Sequence, residues 1–594
     1  MDKVAKKEKG GLLLRSFCNS DNHAMDFLIG ATLGVAFFLL VYGSSTLNVT
    51  YDSWIYAGYI EHDIVQHYAG WMFLRQANWD WPLTVANNMA TPIGVCVAYT
   101  DSIPLVAVLF KFIEPLLPPA FQYFGWANFI NCLLQGGFAM LLIRHFDVDR
   151  AYAAIGTVFF VVMPIFSERL FRHTGLSAQW LVLAALLLYF TSRHRERFPV
   201  AGFFALCVLA VGIHSYFVPM VCALLAAALL SYAFSTRQWK KPTIYLCICL
   251  AGIVVMAYLM GIITRGGSSP SEDFGLFSMN LNALFNPRSF DDFNPDKTLI
   301  WSRLLPALPQ FRRQYDGFNY LGVGVLLGLI ATIILKLVRN ATEAKGQNNA
   351  NAPRKFKDIV MHHIWLVAVC ICLGIFSLSN IVTFGDNILF TVPISGFVQR
   401  LCATFRSSGR LFWPISYLLL LSMVVCIGRM KNKRRAYIAV CLFLALQLFD
   451  LSGVYLQKNA YFAQGEIVVE NEFTSPQWTY FAQNYDYVYC LGPIIDYDMT
   501  ASLIQLNPNV TTNILLAGRG DSPFHYQEYM DYLRSGEPLR DGEMYLCTDD
   551  ETLIYVMEGL NENAGVWRTG RYRIIANQNI NCPWPQYVPE EPEV

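Results

Sequence analysis

IPLVAVLFKFIEPLL, residues 103–117, decides how the rest of the chain is threaded. As a helix it would reach only about 22 Å at ~1.5 Å per residue, against a hydrocarbon core of about 30 Å. It also carries Lys111, Glu114, Pro104 and Pro115. Read as an interfacial or re-entrant helix on the outer face, it leaves every later turn with the charge that the positive-inside rule requires. Counted as a full span, it inverts all of them.

Before this stretch, residues 1–24 carry Lys3, Lys6, Lys7, Lys9 and Arg15, and an apolar run follows from Met25 to Tyr42. No small-residue cleavage site follows it, so it reads as an uncleaved signal anchor with a cytoplasmic N-terminus. The segment 44–120 is then outside. After it, apolar runs recur near 121–143, 151–167, 176–192, 199–214, 215–235, 242–264, 319–338, 363–382, 411–428 and 436–453. The turns RHFDVDR, SRHRERF, STRQWKK and RMKNKRR, and the Lys- and Arg-bearing segment 339–360, all fall on the inner side. The expected fold is an α-helical polytopic membrane protein of about 11 spans, with a transmembrane domain over 25–455.

Composition agrees. The 594 residues are 54% hydrophobic and 15% charged, with a mean hydropathy of +0.35, whereas soluble domains carry about 25% charge. A net charge of zero gives no bulk basicity for nucleic acid. Most cysteines, such as Cys132, Cys207, Cys247, Cys249, Cys370 and Cys372, sit singly in apolar runs and read as small buried hydrophobes. Cys490, Cys547 and Cys582 lie in the polar C-terminal part, where an extracytoplasmic location would permit one disulfide.

That C-terminal part, 456–594, changes character. YDYVYCLG, TTNILLAG, EMYLCTD and RYRIIAN alternate with the helix-like DMTASLIQL, HYQEYMDYLRSG and DETLIYVMEGL. Strands separated by helices predict a small extracytoplasmic α/β domain with a mainly parallel sheet. No GxGxxG or P-loop follows a strand, which argues against a nucleotide site. The tail PWPQYVPEEPEV has the composition of a disordered end.

Polar complexity gathers outside, above all in TYDSWIYAGYIEHDIVQHYAGWMFLRQANWDWPL, residues 50–83. Asp63 and His67 share one helix face at i and i+4, and an outward carboxylate backed by an imidazole suits a general base for a hydroxyl. Asp101 and Asp52 are further candidates; Glu61 and Asp80 rank below them. SERLFRHTG sets Glu168, Arg169, Arg172 and His173 on the outer side, against the charge bias, so an anion is expected to compensate the guanidiniums. Arg406 and Arg410 of FRSSGRLFWP, four residues apart, read the same way, a phosphate competing with an internal carboxylate or lipid headgroups as partner. No HExxH pattern occurs, and Glu61, His62, Asp63 and His67 scatter around a helix, so no metal is expected. His214 reads as a hydrogen-bonded helix-end residue. Trp71, Trp79 and Trp81 anchor the loop at the interface or stack on a sugar.

DIVQHYAGWMFLR, TDSIPL, QYDGFNYLG (314–322) and RSSGRLFWP, in that order, resemble a bacterial GT-C-like family of polytopic membrane proteins known as a domain of unknown function. The resemblance covers about residues 25–455. It implies a glycosyltransferase of the bacterial cytoplasmic membrane that takes a sugar from a polyprenyl-phosphate carrier to a glycan, lipid or protein acceptor. The outer-loop carboxylate of such enzymes maps onto Asp63, then Asp101. The loop has no paired DxD or DE. Two other classes remain: a transporter or flippase of a lipid-linked glycan, and a non-catalytic membrane scaffold. The near absence of acids and bases at span centres, and of any repeat, weighs against transport.

Overall fold

Asn22 starts the first long helix by accepting a hydrogen bond from the Met25 N–H, and Gly43 ends it with φ at 67°. A computed structural model describes residues 22–57, 63–193, 197–263, 273–289, 299–343, 356–465, 467, 469–494, 496–516, 526–578 and 582–589. Glu61, His62 and most of the inner segment 339–360 lie outside the described residues or have undescribed side chains.

The protein is mostly helical, at 59%. In chain order the principal helices are α1 (His23–Tyr42), α2 (Asp63–Gln76), α3 (Pro104–Phe112), α4 (Phe124–Arg144), α5 (Arg150–Val161), α6 (Trp180–Ser192), α7 (Val200–Ile213), α8 (Phe217–Thr236), α9 (Lys240–Leu259), α10 (Val323–Glu343) and α11 (Ile364–Leu378). A hairpin of β1 (Ile381–Phe384) and β2 (Asn387–Thr391) leads into α12 (Gly396–Ala403), α13 (Trp413–Gly428) and α14 (Lys433–Phe462). Among the described residues seven helices are long and apolar enough to cross a membrane: α1, α4, α6 with its preceding turn, α8, α9, α13 with its preceding turn, and α14. Apolar helices also stand at the other four expected positions, but they are shorter: α5, α7, the described part of α10, and α11. Residues 103–117 form the nine-residue α3, about 14 Å long, and a 3₁₀ turn at Glu114–Leu116.

Glycine brings α1 and α4 into backbone contact. A Cβ at Gly34 would lie 1.9 Å from the Cys132 carbonyl oxygen, and one at Gly136 would lie 2.1 Å from that of Gly30. At the same end Asp26, almost fully buried, accepts from Arg150 Nε at 2.6 Å and Arg144 Nε at 3.2 Å. Two cations of the basic turn RHFDVDR are therefore spent on a buried acid.

The C-terminal sheet corrects the sequence reading. It contains β3 (Tyr487–Cys490), β4 (Thr511–Thr512), β5 (Glu543–Cys547), β6 (Ala564–Thr569) and β7 (Tyr572–Asn577), in the order β6-β7-β5-β3-β4. β3 runs parallel to β4 and β5, but β7 is antiparallel to both β5 and β6, so the sheet is mixed. Gly570, with φ at 55°, supplies the left-handed turn that closes the β6–β7 hairpin. Four helices flank the strands: α15 (Pro476–Asn484), α16 (Tyr497–Leu506), α17 (Gln527–Arg534) and α18 (Asp550–Met557). Cys490, Cys547 and Cys582 are free thiols, the first two buried in the sheet.

This unit grips the loop after α2. The Ala90 N–H donates to Ile514 O, the Thr91 N–H to Thr512 O and the Thr512 N–H to Asn88 O, each at 3.0 Å. α16 packs directly on α2. The loop is thus held between the apolar helices and the C-terminal sheet.

Candidate functional site

Asp63 lies on α2, one turn before His67. Its Oδ2 lies 2.8 Å from His173 Nε2. His67, one turn on, turns Nε2 toward Asp101 Oδ2 at 4.0 Å, while Asp101 Oδ1 lies 3.3 Å from His214 Nε2. The His67 and His173 rings are 5.8 Å apart. Two carboxylates and three imidazoles thus form one chain of contacts drawn from four segments. Asp101 reaches its place with φ at 55°, a left-handed conformation that aspartate tolerates better than most residues.

Exposure divides the acids from their supports. The Asp63 and Asp101 side chains are each 34% exposed, whereas His67 is 1% exposed. Burial alone would raise the Asp63 carboxyl, but the hydrogen bond and charge of His173 bring it below its ordinary value. Asp101 is likewise pushed up by burial and held well down by His214, with His67 and His173 adding to the effect. Burial drives His67 down to about 4 against the pull of Asp101, and drives His173 down against Asp63. At neutral pH the two carboxylates are ionised, and the His67 and His173 imidazoles beside them are neutral.

This wiring has a pH signature. The unfolded chain takes up a proton on His67 as pH falls below about 6.5, while the folded chain refuses it until about 4. Stability therefore declines across that window, by up to about 3 kcal/mol for this group. Below it the depressed Asp63 and Asp101 carboxyls lose their own contribution as they protonate. The thermal midpoint in detergent is expected to fall as pH drops from 6.5 to 4, and His67→Asn to flatten that part of the profile. A midpoint constant over this range would refute the assignment.

Beside the acids lies a guanidinium knot. Asp316, 5% exposed, accepts two 2.8 Å bonds from Arg410 Nη2, a 3.3 Å bond from Arg410 Nε and a 2.9 Å bond from Ser407 Oγ. Arg169 Nη2 approaches the same carboxylate at 3.1 Å. Arg410 stacks over Tyr216 at 4.7 Å, and the Tyr216 hydroxyl accepts from the Ser407 N–H. Two cations thus face one anion. Burial would raise the Asp316 carboxyl, and Arg410, Arg169 and His173 hold it far below the usual range.

Arg169 Nη1, Trp413 Nε1 and His67 Nδ1 are buried and meet no hydrogen-bond partner. Buried polar atoms are satisfied in the great majority of cases. Three such unsatisfied atoms around one charged cluster set it apart from the rest of the buried polar groups.

The remaining candidates are placed otherwise. Glu168 is buried with Arg172 and Ser289, and accepts from Trp301 Nε1 at 3.0 Å, so Arg172 has an internal carboxylate. Arg406 pairs with Asp273 at 3.3 Å and lies over Phe277. Asp52 accepts from the Tyr68 hydroxyl at 2.9 Å, and burial raises its carboxyl. Among the described residues no contact joins Asp52 to Asp63 or Asp101, and no group of three His, Cys, Asp or Glu side chains stands in a geometry that would hold a metal ion.

Asp316 and His214 were not among the predicted site residues. Asp316 lies inside QYDGFNYLG, and its partner Arg410 is 94 residues away. The legible signal was an acid at the mouth of an apolar run, facing an excess of outer arginines. His214 does sit at a helix end, with Nδ1 accepting from the Tyr216 N–H at 3.2 Å, and it also braces Asp101.

A family described as a domain of unknown function (DUF6311) matches residues 31–452. The matched span starts within α1, ends within α14 and contains every residue of the cluster; the C-terminal sheet lies beyond it. No curated protein matches the chain.

Proposed function

The chain belongs to the DUF6311 family, and we propose that it is a membrane glycosyltransferase moving a sugar from a polyprenyl-phosphate carrier to an extracytoplasmic glycan, lipid or protein acceptor. One observation carries this reading: two part-exposed, imidazole-braced carboxylates adjoin a buried guanidinium pair with net positive charge and an unmatched Arg169 donor.

In the proposed reaction Asp63 takes the proton of the acceptor hydroxyl as its oxygen attacks the anomeric carbon. The bond from that carbon to the phosphate oxygen breaks on the opposite face, so configuration inverts. Polyprenyl phosphate leaves with the bonding electrons, and Arg169, with Arg410 behind it, stabilises the charge it gains. Arg172 and Arg406, already paired with Glu168 and Asp273, complete the proposed substrate-binding set. Asp101 positions His67 and is the second candidate base.

The threading that accompanies this reading has the four shorter apolar helices crossing the membrane as well, giving eleven spans. The N-terminus is inside, with the site and the C-terminal domain outside a bacterial cytoplasmic membrane. The carrier would arrive sideways past β2 and α12, where Ile388, Leu389, Phe390, Phe397 and Leu401 are all at least half exposed. Ser407, four residues after α12 ends, binds Asp316, so this apolar edge adjoins the phosphate-holding groups.

The test is transfer itself. Protein in nanodiscs is incubated with radiolabelled polyprenyl-phosphate sugars and membrane extract, and label is followed into a product of inverted configuration. Retained configuration would overturn the mechanism, and no transfer from any donor would overturn the assignment.

A further inference from the structure

At the far end of α2 from Asp63, a cleft of about 420 Å³ is lined by five side-chain amides together with Ala77, Pro508 and Thr511. Gln76 and Asn78 come from the helix end, Asn87 and Asn88 from the loop after it, and Asn509 from the C-terminal domain, with Thr511 beside them. No hydrogen bond joins any of these five amide side chains to another group among the described residues, and Asn88 Oδ1 is buried with no donor facing it. No charged side chain lines the cleft. Its two walls are fixed to each other by the backbone bonds between residues 88–91 and 512–514, so the cleft itself is formed before any ligand arrives.

Each amide offers two donors and one acceptor with two lone pairs. That mixed pattern answers hydroxyl and N-acetyl groups, which both donate and accept, and an uncharged lining gives a phosphate or carboxylate no advantage. A largely polar cleft is also unsuited to an apolar ligand, which needs hydrophobic walls. Trp79, next to Asn78, is half exposed and adds an apolar ring to this end of the loop. Thirteen steps of α2 at 1.5 Å put the cleft about 20 Å from Asp63 along the helix.

We propose that this cleft binds an uncharged stretch of glycan, as a site separate from the carboxylate cluster and independent of any sugar transfer there. The full chain in nanodiscs is titrated with maltotriose, cellotriose, mannotriose and N-acetylchitotriose, with trigalacturonate as a charged comparator, by calorimetry and saturation-transfer NMR. At least one neutral trisaccharide is expected to bind. The Asn87→Ala/Asn509→Ala double variant is expected to weaken it by at least about tenfold with an unchanged melting temperature, because neither side chain has a protein partner to lose. Asp63→Asn is expected to bind as wild type does. Absence of binding by all four, equal binding by the double variant, weakening by Asp63→Asn, or preference for trigalacturonate would each overturn the proposal. Failure of sugar transfer alone leaves these binding results standing.

Discussion

Asp63→Asn is expected to lower sugar transfer by about 10²–10⁴-fold, the usual worth of a positioned general base, while carrier lipid still binds. Asparagine is nearly isosteric and its carbonyl oxygen can still accept from His173 Nε2, the bond now measuring 2.8 Å. What it cannot do is take a proton. The prediction therefore separates chemistry from placement: kcat collapses, and the carrier dissociation constant stays within a few-fold. Asp101→Asn is expected to have a smaller effect, since Asp101 works through His67 and His214. If transfer survives Asp63→Asn and vanishes in Asp101→Asn, the base is Asp101. If both variants transfer normally, the carboxylates are not catalytic.

What the sequence made legible follows the range of the interactions involved. The apolar runs placed helices at all the expected positions, because helix formation in such runs is a local matter. Asp63 and His67 were read onto one helix because i and i+4 are neighbours on any helix. Arg406 and Arg410 were read the same way and diverge. Arg410 lies in a 3₁₀ turn at Ser408–Phe412, and the two reach for Asp316 and Asp273, acids far away in the chain. Spacing gives a side chain's neighbours along an element and says nothing of which distant carboxylate will meet it.

The sheet was misread for a different reason. AGVWRTGRYRIIAN contains two strands about a tight turn, and the glycine that permits the turn is present at 570. Its signal was local but weaker than the Asn-Gly or Asp-Gly pair that usually announces a hairpin. With only the second strand recognised, the alternation with helices implied parallel pairing throughout. The disulfide that the sequence permitted is not formed among the described residues: Cys490 pairs in register with Leu546, so Cys490 and Cys547 point to opposite faces of the sheet.

Asp316→Ala is expected to be the most destabilising substitution in the protein, at about 3–5 kcal/mol, the cost of removing one partner from a buried ion pair. Arg410 and Arg169 are both nearly inaccessible, and both point guanidinium nitrogens at this one carboxylate. Without it two like charges face each other with no anion between them. Asp316→Asn keeps oxygen and shape but loses the charge, so it tests electrostatics apart from packing; its melting temperature in detergent should also fall, by less than that of the alanine variant. If the knot is where the carrier's phosphate docks, that phosphate supplies in the asparagine variant the charge the carboxylate no longer does. Saturating polyprenyl phosphate should then raise the melting temperature of Asp316→Asn more than that of wild type, since a ligand stabilises according to its affinity for the folded state. An equal rise in both would place the phosphate away from Arg169 and Arg410. A rise in neither would remove the lipid-phosphate carrier from the assignment, whatever the carboxylates do.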